Sequence, residues 1–331
     1  MLNTLKQVLA VSGVSGNEHN IAKTIEEMVG PYVSTIKTDA LGNLIAIKEG
    51  KAGGKRVMLA AHMDQIGFVV TDINDKGFLY VTNVGGFAPE AFLGKVVTFT
   101  DGLQGVVSSK APSRGPADGK ITMEDVYIDI GTSTRAESEA KVKLGDTACV
   151  AHQLVVNGTR VSAPTMDDRA ACAVLIEVLK AAAKPNKTIV AVFTSQEEVG
   201  IRGAAVSAFA EQPDEGIAVD VTLAGDTPDA KPRMAVSLGK GPAIKIMDRA
   251  SISTPYLRDA LIKICEDGGM AYQREVLPFG GTDAGAIQRS RAGIPAVTIS
   301  IPCRYVHSPV ETVDLADLDD CVKLILGYVN Q

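Results

Sequence analysis

The chain has 331 residues, with 33 Lys and Arg against 39 Asp and Glu, giving a formal charge of −6 and a pI near 5.4. A content of 46% hydrophobic and 22% charged residues excludes a disordered or fibrous chain, and the length suggests about two domains. The acidic balance lacks the cationic excess that nucleic-acid binding draws on, so no nucleic-acid partner is expected.

The start, MLNTLKQVLAVSGVSGNEHN, lacks the charged region and long apolar core of a secretory leader, and no window has about 18 consecutive apolar residues. Five cysteines, an odd number without a C-x-x-C pair, exclude a disulfide framework or thiolate zinc knuckle. These features set the expectation of a cytoplasmic protein without a membrane partner.

Ser15 and Glu18 form an S-x-x-E pattern ahead of Ile21, Ile25, Met28 and Val29, which predicts a capped helix ended by Gly30-Pro31. Residues 44–47 and 57–61 read as strands. The second is apolar throughout, as a strand buried on both faces should be, and runs into His62-Met63-Asp64. From residue 67 to residue 161 the pattern changes to short alternating runs separated by turn residues, the signature of a small β-barrel or sandwich. Thr134 and Glu137 cap one short helix within it. After Pro164 strand and helix alternate again. Helices are expected over 169–183, from Thr254-Pro255 to Gly268-Gly269 and over 315–329, with strands over 188–194, 216–221 and 294–301. The economical arrangement is one α/β domain, residues 1–66 plus 162–331, interrupted by a β-rich insertion, residues 67–161.

Polar clusters follow the predicted strands, where the carboxyl edge of an α/β sheet places ligands. They are His62-Met63-Asp64, the run from Thr165 to Arg169 containing Asp167 and Asp168, Ser195-Gln196-Glu197-Glu198, Val219-Asp220, and Tyr305-Val306-His307-Ser308. Imidazole and carboxylate donors without cysteine suit Zn, Co or Mn, and a shared carboxylate holds two ions a few Å apart. In such a site Asp64 reaches the far side of the His62 ring and fixes its tautomer. One of two adjacent glutamates binds metal while its neighbour takes a proton. Singly, each cluster has a structural explanation: a hydrogen-bonded histidine, an Asp-Asp helix cap, a solvated glutamate pair. Five clusters at successive strand ends are not accounted for that way. His19 and His152 lack such a context and read as structural.

AHMDQIGF (residues 61–68), MDDRAACAV (166–174), TSQEEVGIRGA (194–204), Val219-Asp220, GGTDAGAI (280–287) and SIPCRYVHSPVE (300–311) together resemble the M42 family of metal-dependent aminopeptidases, in order and across nearly the whole chain. The resemblance implies a mixed-sheet metallo-exopeptidase domain with helices on both faces and an inserted PDZ-like β-barrel serving oligomerisation. It implies two divalent ions, Zn or Co: one held by His62 and Asp220, the other by Glu198 and His307, with Asp167 bridging. Glu197 is then the general base, Asp64 the residue orienting His62, short peptides the substrates, and a homo-oligomeric dodecamer of dimers the assembly. Gln65 stands where many relatives have Glu, and Ala171 where Gly is common, neither at an implied ligand.

A glycoside hydrolase, the name some relatives carry, needs sugar-stacking surfaces, and the chain has no Trp, eight Phe and seven Tyr. A deacylase or carboxypeptidase would use the same metals on other amides. A silent binding protein would need a broken ligand set, and serine-hydrolase or nucleotide-binding motifs are absent from the sequence. Arg304, near His307, either faces the pocket and favours an acidic substrate or pairs with a carboxylate such as Glu311.

Overall fold

The computed structural model describes residues 1–110, 121–230 and 233–331. Its centre is an eight-stranded mixed sheet, in the order Thr35–Thr38, Leu44–Lys48, Thr188–Thr194, Arg56–His62, Glu215–Leu223, Ala296–Cys303, Ala243–Met247, Gln273–Val276. Four adjacent strands in the middle, from Thr188–Thr194 to Ala296–Cys303, are mutually parallel. Their carboxyl ends therefore share one edge, where Thr194 pairs with His62 and Asp220 with Ser300.

The apolar run of Arg56–His62 is explained by its two faces. Val57, Leu59 and Ala61 enter one core while Met58 and Ala60 enter the other. The first core is covered by the helices Leu2–Leu9, His19–Val29, Met166–Ala181, Pro255–Asp267 and Leu315–Val329, and the second by Arg202–Glu211 and Asp283–Gln288. From Ala170 to Ile176 the helix Met166–Ala181 is apolar all round because that stretch is buried in the first core. The expected α/β fold with helices on both faces is present.

Six strands form a closed barrel, in the order Gly67–Ile73, Leu79–Val84, Val126–Asp129, Gln104–Ser109, Val96–Phe99, Thr147–Val150. Phe68 fills it, its ring edge-on to Phe87 at 5.2 Å and to Phe92 at 5.7 Å. The short helix Arg135–Glu139 begins as expected, with Thr134 accepting a hydrogen bond from the Glu137 amide.

Other details differ from the sequence reading. Ser15 and Glu18 form no capping box: the helix begins at His19, the Ser15 hydroxyl donates to Asp64, and Glu18 accepts from the Gly16 and Gln196 amides. These two side chains are drawn to the sheet edge, where a buried carboxylate and an open turn compete for them. An additional helix, Leu2–Leu9, precedes that one. Val155–Asn157 and Arg160–Ala163, where the segment read as the insertion ends, lie outside the barrel in a separate three-stranded sheet, in which Arg160–Ala163 pairs with Val155–Asn157 on one side and Glu311–Asp314 on the other. That sheet sets Ala163 opposite Glu311, so the turns that follow Ala163 and precede Glu311 hang side by side over the sheet edge.

Candidate active site

At that edge His62 ends one strand, Asp220 lies within the next, Glu197 and Glu198 follow Thr194, and Asp167 and His307 come from the paired turns. Asp167 stands between the two imidazoles. Its Oδ1 is 2.9 Å from His62 Nε2 and its Oδ2 is 3.2 Å from His307 Nε2. Glu198 Oε2 lies 3.2 Å from His307 Nε2, and Asp220 Oδ1 3.9 Å from His62 Nε2. All seven residues expected from the sequence, Asp64 included, meet here. His19 and His152 belong to no metal-competent group among the described residues.

The other ring nitrogens are tied down. His307 Nδ1 donates to the Gly86 carbonyl, 2.6 Å away, contributed by the barrel segment. His62 Nδ1 is 3.2 Å from the Asp64 carbonyl oxygen and 3.5 Å from its carboxylate, so the main chain takes the hydrogen bond and the carboxylate adds charge. The Asp64 carboxylate is occupied mainly elsewhere, accepting from Ser15 Oγ at 2.6 Å, the Glu197 amide at 2.9 Å and the Glu198 amide at 3.2 Å. Glu311 does the same across the cleft, accepting from the Asp167 and His307 amides, both at 2.8 Å. Two buried carboxylates thus each hold two main-chain amides of donor-bearing turns. Thr165, Gln196, Ile201, Tyr305 and His307 all adopt φ between 54° and 69°, the concentration of unfavourable backbone expected where a site over-determines its surroundings.

Burial sets the electrostatics. It drives the Asp220 and Glu197 carboxyls well above their ordinary range, reinforced by neighbouring carboxylates and opposed by His62. Burial opposes a charge on His62, yet the hydrogen bonds to Asp167 and Asp64 hold its pKa well above the usual imidazole value. Asp64 is held below its ordinary value despite burial, by His62, Ser15 and the Glu197 amide.

The donor set fits divalent cations. His62, Asp167 and Glu198 offer ligand atoms within 4.8 Å of one another, and His62, Asp168 and Asp220 do the same. Glu198 Oε1 is buried with no hydrogen-bond partner, an orphan acceptor that a cation satisfies. Asp168, read as a possible helix cap, has a non-helical backbone, and its Oδ2 also accepts from the His62 amide at 3.3 Å.

Arg304 pairs with Asp226 through two 2.8 Å hydrogen bonds rather than with Glu311, and it does not line the cleft. Gln65 bridges Arg169, the Gly13 amide and the Thr165 hydroxyl, each at 3.1 Å, behind the site. The sequence reading gave Glu311, Ser15 and Gly86 no role at this site: Ser15 read as a helix cap, Glu311 as one possible partner of Arg304, and nothing local marks a barrel glycine as a partner of His307.

A mixed α/β sheet with an imidazole and carboxylate cluster at its carboxyl edge, beside a small barrel, is the build of a metal-dependent exopeptidase. The sequence profile of the M42 glutamyl aminopeptidases matches residues 42–324. A putative aminopeptidase of Acetivibrio thermocellus is 44% identical over 329 residues, 99% of this chain and 98% of that protein. The lysyl aminopeptidase of Pyrococcus furiosus is 35% identical, with 99% and 96% covered. Among solved structures, an aminopeptidase from Desulfurococcus kamchatkensis superposes with a TM-score of 0.95 at 35% identity, covering 99% of this chain and 94% of that one. The TET1 peptidase of Pyrococcus horikoshii, described as assembling into a tetrahedron or a large octahedral shell, gives 0.90 at 34% identity, with 100% and 99% covered. The chain belongs to the M42 peptidase family, whose members are metal-dependent aminopeptidases, and is a hydrolase.

Proposed function

We propose that the protein releases single residues from the free N-termini of short peptides, with two divalent cations, Zn or Co, held by five side chains and Glu197 as the proton carrier. The observation that carries this reading is Asp167, whose two carboxylate oxygens each face a different imidazole, at 2.9 and 3.2 Å. His62 and Asp220 would hold one ion, Glu198 and His307 the other, and Asp167 both. Two bound cations supply Lewis acidity, polarising the scissile carbonyl and activating water.

The chain's own residues do the rest. The Glu197 carboxyl accepts no hydrogen bond from the described residues and lines the cleft, free to take a proton from the attacking water and return it to the leaving amine. Asp64 fixes the main chain of both glutamates, so proton carrier and ligand keep their relative placement. The likeness to a shell-forming peptidase supports a homo-oligomer, a dodecamer of dimers, in which the barrel segment 67–161 serves assembly. Among the described residues, no helix is long and apolar enough to cross a membrane.

Glu197→Gln tests the assignment. Turnover of a free-N-terminus peptide should fall by about 100- to 10,000-fold while bound metal, measured by elemental analysis, stays at the wild-type level. Full activity in the variant would refute the role of Glu197. Equal cutting of acetylated peptides would move the reading to a deacylase or endopeptidase.

A further inference from the structure

We propose that this enzyme selects N-terminal residues with neutral, apolar side chains, and that Ile201, Leu277 and Phe279 determine the selection; the inference rests on the aminopeptidase reading above. The cleft beside the cluster has a volume of about 460 Å³, a size that accepts a small ligand and encloses most of its surface. Besides the imidazole and carboxylate cluster, Thr222 and three glycines, its lining is an apolar wall of Ile201, Val221, Leu223, Leu277, Phe279 and Val306.

The charges nearest the apolar side are all used elsewhere. Arg304 is held in a two-pronged pair with Asp226 and turned out of the cleft. Lys245 is buried behind the wall, 3.0 Å from Glu275 and 3.6 Å from Asp248. The Thr222 hydroxyl, which borders the cleft, donates to Glu275 at 2.6 Å. Among the described residues, no cationic side chain lines the cleft and no carboxylate lines it outside the cluster. A glutamate side chain seated there would meet apolar wall and no counter-charge. A lysine side chain would find carboxylates only on the metal side, in competition with the cations. Either would be desolvated unpaired, a cost an aliphatic side chain avoids.

The wall is also built to be contacted. Phe279 remains 37% exposed, projecting from the turn after Gln273–Val276 that Gly280 closes with φ 66°. The neighbouring Gly281 packs closely on Ala250, since a Cβ there would come within 2.6 Å of the Ala250 Cβ.

The test is a set of aminoacyl p-nitroanilides (Leu, Met, Phe, Glu, Lys) assayed after loading the oligomeric enzyme with Zn or Co. An apolar residue should be preferred to Glu and to Lys by at least about 100-fold in kcat/KM. Phe279→Arg should raise the Glu-to-Leu ratio and Phe279→Glu the Lys-to-Leu ratio, with thermal melts checking that both variants fold. A wild-type preference for Glu or Lys overturns the inference while leaving the aminopeptidase reading intact, and so does a shift that ignores the sign of the introduced charge. Loss of all turnover with every metal overturns the aminopeptidase reading instead. The pocket assignment is then decided by calorimetry, standing if the metal-loaded protein binds leucine more tightly than glutamate and lysine and falling otherwise.

Discussion

Glu311 shows how a residue that touches no ligand can govern a site. Its two oxygens hold the amides of Asp167 and His307, one from each turn over the sheet edge. Glu311→Gln would put an amide NH₂ against one of those N–H donors, and no buried donor tolerates another donor as partner. We expect Zn affinity to fall by about 10- to 100-fold with the fold retained, read by titration against a chromophoric chelator; unchanged affinity would remove Glu311 from the supporting shell. The residues that meet here stood out in the sequence because His62, Asp167, Glu197, Glu198 and His307 lie in polar runs near strand ends and Asp220 is a carboxylate between Val219 and Val221. Their supports did not. Glu311 lies four residues past His307 and bonds across to Asp167, while Ser15 read as a helix cap until the buried Asp64 claimed its hydroxyl. Arg304 had two readings, and which carboxylate answers it depends on the loop carrying Asp226, whose approach leaves no local trace.

At the scale of elements, the strands and helices followed from local pattern, since the apolar run within Arg56–His62 or the helical spacing along Leu315–Val329 is a property of neighbouring residues. The pairing of Arg160–Ala163 with Glu311–Asp314 has no such local mark, because it joins residues far apart in the chain. The C-terminal helix Leu315–Val329 adds a titratable tie of its own. Asp317 accepts from the Gly239 amide at 2.7 Å and the Gly241 amide at 2.8 Å, and burial pushes its pKa up from 3.8 to about 6. A carboxyl with a raised folded-state pKa contributes stability that is full below 3.8 and is lost as pH rises through about 6. Asp317→Asn has no such titration, so its destabilisation relative to wild type should be greater near pH 5 than near pH 7.5 in urea unfolding. The opposite slope would mean that the ionised carboxylate is the stabilising form.

Across the whole molecule, the cluster concentrates Asp167, Glu197, Glu198 and Asp220 around two imidazoles in a buried cleft. Cations that bind the folded chain and not the unfolded one stabilise it by mass action, by about 2.7 kcal/mol at a hundredfold excess over Kd. Chelation should therefore lower the melting temperature and readdition of Zn or Co restore it, measured by calorimetry; identical melts would argue against a folded-state metal site. The cluster draws on distant parts of the chain, from His62 through Asp220 to His307, and His307 donates one hydrogen bond to the Gly86 carbonyl of the barrel segment. Its assembly has a temporal side. On the ribosome, a chain halted before His307 and Glu311 have left the exit tunnel lacks one imidazole and the clamp on Asp167. However far its earlier residues have folded, an incomplete chain therefore holds an incomplete cluster.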